Sequence, residues 1–206
     1  MTTFFSLDVE TSGLTPWDGY LLTIGVQPVL FDVETQAPSL SQERFYVRID
    51  RSELLDQYGW TEPGVSDTYA WWMEQNEEAK REAWLDPDLL RHSAFAAAEM
   101  LHRWVVKVEP EQKNRIFVAN PVSFDKMWID ALYGETGLMS PFHYQSLCLR
   151  SMKFGLRKKS SWGSSRDNHD PKVPHHAFHD AYAQALDLIV MLNERDAMSL
   201  VDEAVA

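Results

Sequence analysis

The sequence predicts an α/β protein built around a mixed β-sheet. Short apolar segments suited to strands come first, and longer segments with helical spacing follow, together with one more strand segment. This order is typical of a single α/β unit. The length of 206 residues and the ordinary composition, 45% hydrophobic and 24% charged, predict one domain over residues 1–206 and exclude disordered and fibrous classes.

Four segments are expected to be strands: residues 3–9, 20–31, 44–49 and 115–119. The first is an apolar run ended by a Thr-Ser-Gly turn, and the second is rich in β-branched residues. The third alternates Phe45, Val47 and Ile49 with polar residues, which is the period of a half-buried strand. The fourth is a short apolar run that ends at an Asn-Pro break.

Five segments are expected to be helices: residues 66–84, 93–108, 123–133, 142–154 and 177–195. Ser66 or Asp67 is a suitable N-cap for the first helix, and Asp86-Pro87 stops it. Gly155 is the expected C-terminal stop of the fourth helix. The last helix carries alanine and leucine at helical spacing.

Several features predict a cytoplasmic protein without a membrane partner. No apolar run approaches the roughly 20 residues that a membrane-spanning helix needs. The N-terminus lacks the basic segment of a secretory signal. Cys148 is the single cysteine, which excludes an intrachain disulfide and a cysteine-based zinc site.

The net charge of −12 argues against a polyanionic partner, but the charge is unevenly distributed. Residues 150–172 contain seven Lys or Arg and two Asp, a local net charge of +5. Such a run is by default a solvated basic loop. It would bind a phosphate backbone if it flanked a nucleic-acid site, and Lys158 and Lys159 are then the residues we expect to contact it.

Two carboxylates lie on one face of the first predicted strand. Asp8 and Glu10 are two residues apart and therefore point the same way. On a central strand they would repel each other and lose hydration unless a cation offset them. On an edge strand one of them could simply cap the following turn.

Two more acids follow in the second half of the chain, and each has an ordinary explanation when taken alone. Asp125 stands near the start of the third predicted helix, where an acid favours the helix dipole. Asp180 opens the last helix, after a run that contains His175, His176 and His179. Such a run could be an exposed polar turn.

Taken in order, these residues resemble the motifs of the DEDD 3′–5′ exonuclease superfamily. The first motif is matched by Asp8 and Glu10, followed by Thr11, Gly13 and Leu14. The second is matched by Asn120, Phe124 and Asp125, and the third, H-x(4)-D, by His175 and Asp180. His176 stands where a sister subgroup carries Tyr, which favours the DEDDh subgroup.

A further segment, residues 66–75, resembles the D-x-T-x-x-W-W-x-x-Q segment of a bacterial and phage branch that includes exoribonucleases. Trp71 and Trp72 are adjacent and cannot share one helix face, so we expect at least one of them to lie in the core. This segment slightly favours RNA over DNA as the substrate.

The resemblance implies an RNase H-like fold, a five-stranded mixed sheet with helices on both faces, of which the sequence locates four strands. It also implies hydrolysis at the 3′ end of single-stranded RNA or DNA with release of nucleoside 5′-monophosphates. The four acids would hold two Mg²⁺ ions, about 3.5–4 Å apart in such sites, and Mn²⁺ would substitute. Relatives are often homodimers, but the sequence identifies no interface.

The residue that deprotonates the attacking water is expected to be a histidine. Positions 175 and 180 are about 140° apart on an ideal helix, so His175 would have to lie in the loop before the helix. His176 is four residues before Asp180 and is the alternative on geometry, whereas the family register favours His175.

Other motif positions are candidates for substrate contact. Thr11, Leu14 and Phe124 belong to the first two motifs, and Leu14 resembles the position that packs on the terminal base in relatives. Leu14 could equally be an ordinary core residue.

Two other functions fit part of this pattern. One is an inactive nucleic-acid-binding module of the same fold, which the presence of all four acids and the histidine disfavours. The other is an RNase H-type endonuclease, which also uses acidic residues and two metals. An endonuclease cleaves a circular single strand, whereas an exonuclease leaves it intact.

Overall fold

The computed structural model describes residues 1–51, 65–86, 88–157 and 169–205. Six strands within these residues form one mixed sheet: β1 (Thr2–Thr11), β2 (Leu21–Asp32), β3 (Ala37–Leu40), β4 (Phe45–Arg48), β5 (Arg115–Ala119) and β6 (Ser146–Cys148). The order is β3-β2-β1-β5-β6, and β4 also pairs with β2. β1 is antiparallel to β2 and parallel to β5, which is parallel to β6. The predicted mixed α/β sheet is confirmed.

The expected count of five strands is wrong because two short strands share one place beside β2. β4 pairs with residues 23–26 of this long strand, and β3 pairs with residues 29–32. Pro28 separates the two stretches and has no N–H to donate. The Gln27 side-chain amide donates instead to the Ser41 carbonyl oxygen at 2.9 Å, and the Ser41 N–H donates to the Pro28 carbonyl oxygen.

The described part of the chain also contains six α-helices: α1 (Val65–Met73), α2 (Glu77–Lys80), α3 (Ala94–Val108), α4 (Val122–Thr136), α5 (Leu149–Arg157) and α6 (Ala177–Val205). α3 and α4 pack on one face of the sheet, around a core that includes Phe5, Leu101 and Trp128. α5 and α6 cover the other face, with Val118 and Leu188 buried between them and the sheet. Successive residues of β5 point to opposite faces, as the pleat of a strand requires.

The predicted helix over residues 66–84 is interrupted. α1 ends at Met73, and Asn76 begins α2 by accepting a hydrogen bond from the Glu78 N–H through its side-chain oxygen at 2.8 Å. α2 then widens into a π-helical turn over Arg81–Leu85. α1 and α2 form a third small core, in which Trp72 packs with Leu22 and Val173.

The helix predicted over residues 142–154 is partly wrong. Residues 146–148 pair with Phe117–Ala119 of β5 as strand β6, so a partner distant in sequence overrides the local pattern. The helix begins only at Leu149 and continues through Gly155, which does not stop it, to Arg157. No helix in the described residues is long and apolar enough to span a membrane.

Candidate active site

A cavity of about 570 Å³ opens at the carboxyl end of β1. All four acids predicted from the sequence line it, two from β1 and one each from the first turns of α4 and α6. The even-numbered residues of β1 face α6: the Ser6 hydroxyl donates to the Ala181 carbonyl oxygen at 2.9 Å. Asp8 and Glu10 continue this face into the cavity.

Three of the acids form a compact group. One carboxylate oxygen from each of Asp8, Glu10 and Asp180 lies within 4.8 Å of the other two. The Gln184 side-chain amide donates to Asp8 Oδ1 at 2.8 Å, and the His176 backbone N–H donates to Asp180 Oδ2 at 3.2 Å. These hydrogen bonds fix the orientation of two of the three carboxylates.

The fourth acid, Asp125, is bound to the strand itself. Its Oδ1 accepts a hydrogen bond from the Val9 backbone N–H at 3.1 Å, and the residue is buried. The pairing of β1 with β5 ends at Ser6, which leaves the Val9 N–H beyond it for this contact. Asp125 is therefore held between the positions of Asp8 and Glu10 on the side of the sheet that carries α4.

Burial and neighbouring negative charges disfavour the ionised form of two acids of this site, Asp8 and Asp125. Burial raises the pKa of Asp8 well above its usual range, and the charges of Asp125, Asp180 and Glu10 raise it further. Burial raises the pKa of Asp125 to about 8. Lys and Arg are absent from the cavity lining within the described part of the chain. An all-oxygen donor set of several carboxylates fits hard divalent cations such as Mg²⁺.

The structure distinguishes the two candidate histidines. His175 lines the cavity from the turn before α6, with φ 62° in the left-handed region, and its ring meets that of Trp71 edge-on at 4.8 Å. His176 is buried outside the cavity lining, stacked between Tyr46 at 4.8 Å and His179 at 4.2 Å. Burial, with a smaller contribution from His179, lowers the pKa of His176.

The predicted substrate-binding residues fall into two groups. Thr11, Leu14 and Phe124 line the cavity, and Leu14 is 73% exposed, which excludes a core role for it. Lys158 and Lys159 lie outside the described residues. The contact predicted for them stays a prediction.

The paired tryptophans separate as expected. Trp72 is 1% exposed, and its indole N–H donates to the Thr11 carbonyl oxygen at 3.0 Å, which ties α1 to the end of β1. Trp71 is 43% exposed and lines the cavity beside His175. Residues 66–75 match the D-x-T-x-x-W-W-x-x-Q segment at Thr68, both tryptophans and Gln75. Ser66 stands where that segment begins with Asp.

Residues 3–191 match the family profile of the 3′–5′ exoribonuclease Rv2179c-like domain. This match covers most of the chain. The protein belongs to the Rv2179c-like 3′–5′ exoribonuclease domain family. Its membership of the DEDD-type exonuclease superfamily is thereby confirmed. No curated protein sequence matches this family member significantly.

Solved exonuclease structures share the fold of this Rv2179c-like domain. E. coli exonuclease I in complex with a dT13 oligonucleotide superimposes with a TM-score of 0.63 at 14% identity, covering 96% of this chain and 42% of exonuclease I. Cell-death related nuclease 4 (CRN-4) gives 0.65 at 13% identity, over 94% of this chain and 64% of that protein. The chain thus spans about two fifths of exonuclease I. These similarities establish the RNase H-like exonuclease fold.

Three polar residues of the candidate site were not predicted from the sequence. Gln184 and Asp187 lie four and seven residues after Asp180, so all three share one face of α6 toward the cavity. That helical spacing is the signal that could have found them. His169 also lines the cavity, and its Nδ1 lies 3.0 Å from Asp187 Oδ1.

Proposed function

We propose that this member of the family is a two-metal-ion 3′–5′ exonuclease of the DEDDh subgroup. It releases nucleoside 5′-monophosphates from the 3′ end of single-stranded nucleic acid, with RNA slightly favoured over DNA. The observation that carries this proposal is the group of Asp8, Glu10 and Asp180 oxygens within 4.8 Å of one another, completed by buried Asp125. A homodimer and a cytoplasmic location stay predictions.

The metal-binding part of the proposal follows from the donor set. Asp8, Glu10 and Asp180 would hold divalent ions, with Asp125 completing the set from the opposite side of β1. When bound, a pair of Mg²⁺ or Mn²⁺ ions supplies charge neutralisation at the phosphate and lowers the pKa of the attacking water. The raised pKa values of Asp8 and Asp125 support this assignment, because a bound cation would offset the burial and the neighbouring negative charge that disfavour the ionised carboxylates.

The chain's own residues then position the substrate and move the proton. His175 takes a proton from the attacking water through a ring nitrogen, a role supported by its place on the cavity wall. Trp71 limits the movement of that ring through its edge-on contact. Leu14 and Phe124 offer apolar surface to the terminal base, and Gln184 keeps Asp8 oriented toward the site.

Single-stranded nucleic acid is supported as the substrate by two observations. The family description names exoribonuclease activity. E. coli exonuclease I, which shares the fold, has been solved with dT13 and dA16 oligonucleotides. The first favours RNA, whereas the second is a DNA complex of a protein with the same fold, so the sugar preference needs a direct test.

The test uses 5′-labelled single-stranded RNA and DNA oligomers with Mg²⁺, Mn²⁺ or EDTA. We expect a ladder that shortens from the 3′ end with either metal and is absent with EDTA or in Asp8→Asn. Asparagine retains an oxygen for the Gln184 hydrogen bond, so this variant tests the charge. Asp130→Asn is the matched control, because Asp130 is exposed on α4 and pairs with Lys126.

Two results would overturn the proposal. Cleavage of a circular single strand would identify an endonuclease. Binding of oligomers without cleavage under any metal would identify a binding module.

A further inference from the structure

A second polar cluster, formed by His169, Asp187 and Lys153, adjoins the proposed catalytic site. Asp187 lies seven residues after Asp180 on α6, on the same helix face and about 10 Å further along the axis. His169 and Asp187 line the same cavity as the four acids. The proposed hydrolysis uses none of the three residues.

Asp187 is a buried carboxylate held between two basic side chains. It is 5% exposed, with His169 Nδ1 3.0 Å from its Oδ1 and Lys153 Nζ 3.9 Å from its Oδ2. The lysine ammonium offsets the carboxylate charge. The contact fits the imidazole tautomer that carries its hydrogen on Nδ1 and donates it to Asp187 Oδ1.

This tautomer leaves His169 Nε2 with a lone pair, so the nitrogen can only accept a hydrogen bond. The His169 side chain is 35% exposed, which leaves it accessible to a bound molecule. The described lining of the cavity contains seven carboxyl side chains and no Lys or Arg. Phosphate oxygens are acceptors too and gain nothing from a further acceptor at this wall.

A ribose strand carries a donor that suits this position. The 2′-hydroxyl can donate a hydrogen bond, and deoxyribose lacks it. We propose that His169, oriented by Asp187, accepts a hydrogen bond from a ribose 2′-hydroxyl of the bound strand and so favours RNA over DNA. This inference rests on the proposed function, because it assigns the sugar preference of that same site.

The test compares kcat/KM on RNA and DNA oligomers of one sequence for the wild type, His169→Ala and His169→Gln. We expect His169→Ala to lower kcat/KM on RNA by about fivefold to tenfold, the effect of one hydrogen bond, and on DNA by less than about twofold. His169→Gln, which offers an amide oxygen as acceptor, should retain most of the RNA activity. His102→Ala on α3, outside the cavity lining, is the matched control.

DNA oligomers with a single ribose at the terminal, penultimate or third position locate the contact. We expect one of these positions to restore the wild-type preference and to have no effect in His169→Ala. An equal loss on RNA and DNA would show a phosphate contact and overturn the inference. A loss that follows the base rather than the sugar would show a base contact and overturn it as well.

A binding experiment keeps this inference separate from the proposed function. It measures the equilibrium Kd of RNA and DNA oligomers for the wild type and His169→Ala with EDTA present. If the wild type binds RNA more tightly than DNA and His169→Ala does not, the inference holds even for a protein that fails to cleave. A wild type without any ribose preference contradicts it even if metal-dependent cleavage is demonstrated.

Discussion

Gly25 of β2 lies directly against the Ala177 peptide at the start of α6. A Cβ added to Gly25 would lie 2.3 Å from the Ala177 carbonyl carbon and from the Phe178 nitrogen. Gly25 is also the partner of Asp8 in the pairing of β1 with β2. The absence of a side chain at this position therefore sets how closely the helix that carries Asp180 approaches the strand that carries Asp8.

Gly25→Ala is expected to displace the start of α6 and to lower the free energy of unfolding by about 3 kcal/mol. Activity should fall further than the folded fraction does, because Asp180 moves away from Asp8. Urea unfolding and activity at a temperature where the variant is folded measure the two effects. Gly134→Ala in α4 is the control. A Cβ at this position meets nothing within 4 Å, so the substitution should raise the free energy of unfolding by about 0.5–1 kcal/mol. Full activity in Gly25→Ala would contradict this account.

The pKa of Asp125 predicts how stability depends on pH. Its folded-state pKa of about 8 lies above the ordinary value of 3.8, so folding favours the protonated form. This stabilising contribution is complete below about pH 4 and is lost as the pH rises through about 8. Asp125→Asn can keep the hydrogen bond from Val9 N–H while removing the charge.

Without metal, Asp125→Asn should therefore melt above the wild type at about pH 9, and the difference should vanish near pH 4. Thermal unfolding in EDTA across this range measures it. Mg²⁺ should raise the melting temperature of the wild type more at high pH than at low pH, because the charged carboxylates bind it. A difference independent of pH would show that Asp125 does not titrate as described.

His175→Asn separates the chemical role of the imidazole from the role of this residue in the backbone turn. Asparagine tolerates the left-handed φ of 62° better than most residues, so the turn should persist. We expect kcat to fall by about 10²–10³ with KM and stability nearly unchanged, since a general base contributes on that order. Steady-state kinetics test this against His143→Asn, which lies outside the cavity lining. A kcat within about twofold of wild type would assign the base elsewhere.

Substitution of the two adjacent tryptophans should have opposite effects: loss of Trp72 should lower stability, and loss of Trp71 should lower activity. Trp72→Phe removes the indole N–H bond to the Thr11 carbonyl oxygen and core volume, at a cost of about 2 kcal/mol in stability. Trp71→Ala should change stability by less than about 0.5 kcal/mol, as exposed positions usually do. It should lower kcat/KM because His175 loses its ring contact. Thermal unfolding and steady-state kinetics on both variants measure these effects. A stability loss in Trp71→Ala larger than that in Trp72→Phe would contradict the prediction.

Leu14→Ala tests the apolar contact with the terminal base. Leu14 is 73% exposed, so the free energy of unfolding should change by less than about 0.5 kcal/mol. KM for a short oligomer should rise several-fold. Leu90→Ala is matched in exposure at 72% and lies outside the cavity lining, so its KM should not change. Equal KM values for the two variants would remove Leu14 from the substrate site.

Elements with a strong local pattern were predicted well. β5 begins and ends where its apolar run does, and α3 follows the Ser93 cap. β3 and β6 were missed because strands of four and three residues carry little pattern and depend on partners elsewhere in the chain. The break before α2 depends on a side-chain cap at Asn76 inside an otherwise helical segment.

The composition of the candidate site was predictable where motifs fix residue identity. The four acids and His175 were all placed on one cavity, as the motif order implied. The orientation of Asp8 by Gln184 and the pairing of His169 with Asp187 come from tertiary packing. No local sequence pattern predicts such contacts, because they form only where α6 packs on the sheet.

The splitting of one strand position into β3 and β4 also affects how much edge strand the sheet offers for pairing with other copies of the protein. In the described part of the chain, the sheet borders are formed by strands of only four, four and three residues. The long apolar strands β1 and β2 lie inside these borders. Unpaired backbone along a sheet border is where foreign strands attach, and short border strands offer little of it. The architecture therefore protects its most aggregation-prone segments while the cavity remains open to solvent.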